Sequence, residues 1–545
     1  MTDTNGSAPA SAAGRATEVD AIVVGAGLSG VYLLRRLRDE LGLKTRVLEA
    51  GSDVGGTWYW NRYPGARCDT ESMFYAYSWP TELRQKWTWS SRYPEQHEIQ
   101  GYIRHVVDEF DLERDIQFGT RVASAMFDDD TRRWTVTTEG GETFSARFCI
   151  MATGCITKPN LPDIDGVESF AGETYHTARW PKEEVDFTGK RVGVIGTGST
   201  GIQAIPMIAQ EAEQLTVFQR TAQYAIPAWN APLDPEYENE IKANYDELWE
   251  KARYGSTGLI YEVRDVSVFD ESPEEREQKF EEAWAQGGFA FLFVYNDILT
   301  DQKANEIVGE WVRNKIRARI DDPEVAEKLM PMSYPFATKR LCVDTNYYET
   351  YNRDNVRLVS LRETPLEEVT PEGLRTSEEQ FDLDAIVFAT GFDGMTGALF
   401  AIDIRGRDGV TLTEKWADGP RTYLGLGTAG FPNLFTITGP GSPSVLSNMM
   451  TSLEQHVDWV TDCIEHLVKE GHETIEPTLE AEDAWVEHVN EVANSTLFPL
   501  TDSWYTGTNI TGKLRLFTPY VGGVGVYREK CDEVAAKGYD GFVLA

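Results

Sequence analysis

The sequence predicts an α/β protein made of two Rossmann-like units, the second carrying a helical insertion. Three observations predict it. A strand, glycine turn, helix and second strand follow one another across residues 21–49; the same order returns across residues 191–221; and an acidic stretch of helical spacing lies between about 234 and 330. With 545 residues the chain is in any case too long for one core.

The first unit opens on the apolar run Ala21-Ile22-Val23-Val24, which reads as a buried parallel strand. Gly25-Ala26-Gly27-Leu28-Ser29-Gly30 follows directly and opens a helix with Leu34, Leu37 and Leu41 on one face. Gly25 permits the tight turn, Gly27 lets backbone approach a pyrophosphate, and Gly30 lets helix and strand pack closely. The pyrophosphate would rest on the free N–H groups of the helix N-terminus. The next strand, Arg46-Val47-Leu48-Glu49, ends on a carboxylate that can accept ribose hydroxyls and repels a 2′-phosphate.

The second unit repeats this with the strand Arg191-Val192-Gly193-Val194-Ile195 and the turn Gly196-Thr197-Gly198-Ser199-Thr200-Gly201. Its next strand, Leu215-Thr216-Val217-Phe218, runs into Gln219-Arg220-Thr221 with no carboxylate. A guanidinium there forks onto a 2′-phosphate. The first site is therefore expected to take FAD and the second NADPH, separated by the charge at one position.

Further elements follow. Helical patterns run from Glu275 to Trp284, Ala304 to Ile320, Ser452 to Glu470 and Glu480 to Ala493. Ala385-Ile386-Val387-Phe388 is expected to be a strand returning to the first domain. Ala152-Thr153-Gly154 and Ala389-Thr390-Gly391 end apolar strands and mark passages between domains, with the reactive cofactor in the cleft between them. The expected division is a disordered tail at 1–18, a first domain at 19–153, a second at 154–384 with its insertion, and a return to the first at 385–545.

Bulk properties narrow the partners. The net charge of −37 opposes nucleic acid and anionic membrane surfaces and serves either solubility or life in high salt. The six cysteines (Cys68, Cys149, Cys155, Cys342, Cys463 and Cys531) form no CxxC pair, which argues against a disulfide framework, a metal site and a dithiol redox centre. No apolar run approaches the ~18 residues of a membrane span, and residues 1–18 lack the core of a signal peptide. A cytoplasmic protein without membrane or obligate protein partner is expected.

Two longer stretches are more specific than either glycine turn. Residues 55–69 read Gly-Gly-Thr-Trp-Tyr-Trp-Asn-Arg-Tyr-Pro-Gly-Ala-Arg-Cys-Asp, and residues 170–181 read Phe-Ala-Gly-Glu-Thr-Tyr-His-Thr-Ala-Arg-Trp-Pro. They resemble the two fingerprints of type I Baeyer–Villiger monooxygenases, the second as FxGxxxHxxxWP. Gly439-Pro440-Gly441-Ser442-Pro443-Ser444, Ser503-Trp504-Tyr505-Thr506-Gly507 and the stretch from Cys531 to Leu544 extend the resemblance, which runs from about residue 20 to the C-terminus.

The resemblance implies a flavin-dependent oxidation of ketones to esters or lactones with NADPH and O2 through a flavin peroxide anion, with sulfoxidation beside it. It implies that Arg340, in the pair Lys339-Arg340 ahead of Tyr347-Tyr348-Glu349, is the catalytic cation, and that Asp69 sits by the flavin and orients it. FAD would be held by Gly25, Gly27, Ser29, Gly30, Glu49, Thr57, Trp58, Trp60, Asp69, Tyr75, Val122 and Met449, with the loop from Ser442 to Leu446 at the substrate edge. NADPH would be held by Arg67, Cys68, Asp69, Gly196, Thr197, Gly198, Ser199, Thr200, Gly201, Arg220, Thr221, Lys339, Arg340 and Trp504. His176, near the junction of the domains, is given a structural role. A flavin monooxygenase of sulfides or amines, a flavin disulfide reductase and a flavoprotein sensor are the competing readings. The complete second fingerprint and Arg340 weigh against the first, and the absence of CxxC against the second.

Overall fold

The computed structural model describes residues 16–545. Residues 1–15 of the expected tail lie outside them, while Thr17 and Glu18 already belong to the first strand, Thr17–Val24. That strand sits inside an eight-stranded mixed sheet. Its parallel neighbours are Thr45–Leu48 on one side and Thr143–Met151 on the other. The antiparallel strands Arg133–Thr138 and Val122–Asp128 continue the sheet beyond Thr143–Met151. Late in the chain, Asp403–Arg405 pairs with Val122–Asp128 and Leu434–Thr436 with Thr143–Met151. The C-terminal part of the sequence thus returns to complete the first sheet.

The second sheet has five strands, all parallel, in the order Val356–Ser360, Gln214–Gln219, Arg191–Ile195, Ala385–Phe388 and Glu173–His176. This corrects one expectation. Ala385–Phe388 does not return to the first sheet but lies inside the second, between Arg191–Ile195 and the edge strand Glu173–His176. All four of its residues are buried, as a strand covered on both faces requires. The chain leaves the second unit only after this strand, so the boundary set at 384/385 falls too early.

The two glycine turns are built alike. Gly25 has φ +105° and Gly196 φ +108°, and a side chain at either would strike the carbonyl oxygen of Ala152 (2.6 Å) or Ala389 (2.4 Å). In each unit the strand end that leads out of the sheet presses on the glycine turn. The helices Leu28–Arg35 and Ser199–Glu211 begin at Gly27 and Gly198 with no side-chain cap, leaving their first N–H groups directed out of the helix end.

The insertion is helical but is shared between the units. Helices Pro235–Ala243 and Tyr245–Tyr254 bury Ile241, Tyr245, Trp249 and Ala252 in the core of the first unit. Helices Pro273–Gln286 and Gln302–Arg317 bury Phe280, Trp284, Val308 and Val312 in that of the second. Their starts follow local chemistry: Ser272 and Glu275 form a capping box ahead of Pro273, and Asp301 caps Gln302–Arg317.

Candidate functional site

A single cavity of about 1800 Å³ receives both glycine turns. From the first unit Gly25, Gly27, Ser29, Glu49, Thr57, Trp58, Trp60, Arg67, Cys68, Asp69, Tyr75 and Val122 line it. From the second come Gly196, Thr197, Gly198, Ser199, Thr200, Arg220, Thr221, Lys339 and Arg340, and from the later chain Met449 and Trp504. Gly30 and Gly201 do not line it. They lie one turn into their helices, where a side chain would meet the carbonyl oxygen of Gly25 (1.9 Å) or Gly196 (2.3 Å), so their part is helix packing.

In the first half, Glu49 is buried and both its carboxylate oxygens are engaged. The Ala26 N–H donates to Oε2 (2.7 Å) and the Gly51 N–H to Oε1 (2.6 Å). Burial pushes its carboxyl group up, and these backbone donors oppose that shift. The carboxylate therefore braces the glycine turn as well as facing the cavity. Trp58 Nε1 donates to the Tyr75 hydroxyl (3.1 Å), joining two rings of the wall.

In the second half, Thr197 Oγ1 donates to the Thr221 carbonyl (3.0 Å), tying the glycine turn to the end of the neighbouring strand. Arg220 stands there with Lys339, whose ammonium lies 5.0 Å from the Tyr334 ring centroid. A third cation, Arg362, was not foreseen. It donates to the Arg220 carbonyl (2.9 Å), Thr221 Oγ1 (3.5 Å) and Ser333 Oγ (3.2 Å) and also lines the cavity. It comes from the end of Val356–Ser360, parallel partner of the strand that ends at Arg220, and no local motif marks it. Burial first, then the charges of Arg220 and Arg362, push the Lys339 ammonium down to about 8. Asp502 opposes this shift with one negative charge, and three cations against one carboxylate leave an excess that favours an anion.

The two halves meet at Asp69 and Arg340. Asp69 Oδ2 lies 3.6 Å from Arg340 Nη2, and the Asp69 side chain is 10% exposed. Burial raises the Asp69 carboxyl group while Arg340 and Gln203 hold it back. Burial lowers the Arg340 guanidinium, but the charge of Asp69 and other neighbours outweighs it, and the net shift is upward. Arg340 Nη1 donates to the Val445 carbonyl (3.2 Å), and its guanidinium lies 4.9 Å from the centroid of the Phe289 ring. Arg340 stands two residues ahead of the strand Cys342–Asp344, which pairs with Ala225–Pro227. The far end of that strand is pinned by a buried pair, Asp344 with Arg319 at 2.7 Å.

Gln203 was also missed by the sequence reading. It donates to Asp69 Oδ1 (3.2 Å) and the Arg67 carbonyl (3.0 Å) and accepts from the Tyr63 hydroxyl (2.8 Å), so helix Ser199–Glu211 grips the first fingerprint. Its place one helical turn beyond Ser199 and Thr200 was the available signal, since residues three and four apart share a face. Arg67 turns its guanidinium to Glu95 (3.0 Å). Cys68 is buried, and its thiol is pushed up to about 12 by burial. His176 accepts from the Ala178 N–H at Nδ1 (3.1 Å), places Nε2 3.3 Å from Thr390 Oγ1, and is lowered by burial. It joins the second fingerprint to the crossing at Thr390. Among the described residues no cluster of His, Cys, Asp or Glu could hold a metal ion, and no helix is long and apolar enough to cross a membrane.

These residues suit two dinucleotides. Two uncapped helix N-termini open on one cavity, which exceeds the ~300–1,000 Å³ of an ordinary small-molecule pocket. A carboxylate, Glu49, stands beside the first glycine turn and three cations, Arg220, Lys339 and Arg362, beside the second.

Comparison with known proteins agrees. The family profile FMO-like, flavin-binding monooxygenase-like, matches residues 19–231. Acetone monooxygenase (methyl acetate-forming) of Gordonia sp. is 44% identical over 97% of this chain and 99% of its own length. A Baeyer–Villiger monooxygenase of Pseudooceanicola batsensis is 44% identical over 96% of each chain. The solved structure of an oxidized steroid monooxygenase bound to NADP superposes with TM-score 0.93 and 52% identity, over 97% of this chain and 99% of that one. Identity at this level over nearly the full length shows that the chain belongs to the type I Baeyer–Villiger monooxygenase family.

Proposed function

We propose that this protein oxidises ketones to esters or lactones with NADPH and O2, holding FAD in the first unit and NADPH in the second. The observation that carries the reading is that both glycine turns open on the same cavity as the Asp69–Arg340 pair. In balanced form, ketone, O2, NADPH and a proton give ester, NADP+ and water. Bound FAD would supply oxygen activation and NADPH the hydride.

The chain's own residues do the rest. The helix starting at Leu28 and Glu49 hold the flavin dinucleotide, with Trp58 and Tyr75 in the wall. The helix starting at Ser199 holds the NADPH pyrophosphate, and Arg220, Lys339 and Arg362 neutralise its 2′-phosphate. Arg340 presents a fixed positive charge to the negative charge that develops on oxygen during the reaction; such preorganised charge counts most where water is excluded. Asp69 balances that guanidinium and keeps it in the cavity. Trp504 and Met449 complete the apolar wall.

The test is purified, FAD-loaded protein given NADPH, air and a panel of linear, cyclic and aryl ketones. Ester or lactone by gas chromatography–mass spectrometry is expected. Consumption of NADPH that yields only hydrogen peroxide across the whole panel overturns the reading.

A further inference from the structure

Asp69 and Arg340 are 3.6 Å apart, too loose for their geometry to be set by that contact alone, so whatever holds the segments behind them matters. One residue outside the cavity holds the segment that carries Asp69 and the segment that carries Phe289, whose ring contacts Arg340. Arg92 donates from Nη2 to Glu71 Oε1 (2.7 Å), two residues beyond Asp69, and from Nη1 to the Gln286 carbonyl (2.8 Å). Its own carbonyl accepts the Ser72 N–H (2.8 Å). Gln286 ends helix Pro273–Gln286, and three residues on stands Phe289, whose ring lies under the Arg340 guanidinium. The intervening Gly288 passes close to Tyr93: a side chain there would meet its hydroxyl at 2.0 Å. The contacts close a ring from Asp69 through Glu71, Arg92, Gln286, Phe289 and Arg340 back to Asp69.

The carboxylate of Glu71 has a 9% exposed side chain and takes two further donors from the insertion, the Tyr237 hydroxyl (3.0 Å) and the Tyr261 hydroxyl. A void of only about 10 Å³ separates Asp69, Glu71, Tyr93 and Phe289. The ring is therefore packed. A guanidinium can serve it because its planar fork donates in two directions at once, to a carboxylate and to a carbonyl; an ammonium is a single point.

We infer that Arg92 is a positioning residue that fixes Arg340 and Asp69 relative to one another from behind the cavity wall. The inference rests on the ketone reading above. Arg92 itself touches neither the cavity nor any residue assigned to the dinucleotides, so it acts only through Asp69 and Arg340, and the oxygen-transfer step, which depends on the Arg340 charge, is the step it affects most. When Arg340 is misplaced, reducing equivalents escape as NADPH, O2 and a proton going to NADP+ and hydrogen peroxide.

The experiment compares wild-type holoenzyme with Arg92→Met, Arg92→Lys and Glu71→Gln. Anaerobic flavin reduction by NADPH and the KM for NADPH are expected to change by no more than about twofold in all of them, far less than ester formation, since Arg220, Lys339 and Arg362 still hold the 2′-phosphate. Ester formed per NADPH consumed is expected to fall roughly tenfold in Arg92→Met, short of the ~100-fold that a misplacement of about 1 Å can cost. Arg92→Lys should recover part of this, and Glu71→Gln should lose a similar amount. In a double-mutant cycle with Phe289→Leu the losses should be non-additive, since both lie on one path. Ester per NADPH at the wild-type level in Arg92→Met overturns the inference, as do strictly additive losses, and loss of folding in both Arg92→Met and Glu71→Gln would make the ring purely structural. A wild-type enzyme that makes no ester from any ketone is a separate result, seen before any variant is made; it fails the ketone reading and the inference with it.

Discussion

At the scale of the residue, the site is an arrangement of charges whose separate tasks can be separated by experiment. Arg340→Ala should retain FAD and accept hydride from NADPH but lose roughly 10²–10³-fold in ester formation, the range for removing one donor to a developing oxyanion. Rapid-scanning reduction alongside product analysis checks this; ester at the wild-type rate would remove Arg340 from its role. Arg220→Ala removes an interaction made equally in ground and transition state. It should raise KM for NADPH by ~10-fold or more, with kcat and the KM for NADH almost unchanged. Lys339 adds a pH dependence whose sign is fixed. Its ammonium is pushed down to about 8 from an ordinary 10.5, so the positive charge is lost as pH rises through about 8. KM for NADPH should climb above that pH while KM for NADH does not. Binding of a 2′-phosphate favours the charged amine, so mixing NADP+ with the enzyme near pH 8 should take up protons; a pH-indicator measurement that finds none in wild type, or the same uptake in Lys339→Met, counts against the assignment.

Among the elements, what the sequence disclosed and what it hid divide along a physical line. The strand Arg191–Ile195 was read with the bounds it has, because apolar run, glycine turn and helix are all local signals. Ala385–Phe388 was read as a strand and placed in the wrong sheet, because four buried apolar residues suit the middle of either sheet and only the register against Arg191–Ile195 decides. Glu49, Arg220 and the fingerprints stand at fixed offsets from those local signals. Gln203, Arg362 and Phe289 reach the site through helix packing, strand adjacency and a cation–ring contact, none of which a local window contains. The long helix Met449–Glu470 shows the same limit with Glu454, a carboxylate inside an apolar face. It accepts the Ser78 N–H (2.6 Å) and the Ser78 hydroxyl (2.6 Å), which fastens the segment after the first fingerprint to this helix. Burial pushes its carboxyl group up to about 7. A folded-state value above the unfolded one means that the stability it contributes is present below pH ~4.5 and is lost as pH rises through about 7. Glu454→Gln should therefore raise the melting temperature relative to wild type more at pH 8 than at pH 5, the underlying gain in stability being bounded at about 3 kcal/mol. A difference that does not change with pH would mean that Glu454 titrates as an ordinary carboxylate.

Over the whole molecule, charge is the dominant unpaired quantity. The chain has 88 acidic and 51 basic side chains, so negative charge exceeds positive by 37. Two salt effects compete. Screening weakens the exposed ion pairs, such as Arg357 with Glu379 (2.6 Å), and each such pair is worth ~0–1 kcal/mol at most. Screening also relieves the repulsion among the surplus carboxylates, a sum over many pairs within reach of one another at low ionic strength, where the Debye length is ~30 Å at about 0.01 M against ~3 Å at about 1 M. Repulsion in this chain has the larger number of terms, and the buried pairs that shape the site, Asp344 with Arg319 among them, are shielded from the salt that would weaken them. The melting temperature should therefore rise steadily between those two salt concentrations, and equally in sodium and potassium chloride, since screening depends on ionic strength and not on the cation. Scanning calorimetry of the holoenzyme at saturating FAD checks it. A melting temperature that falls with salt would mean that the surface ion pairs outweigh the net field, and a rise confined to one cation would point to specific binding sites on the acidic surface.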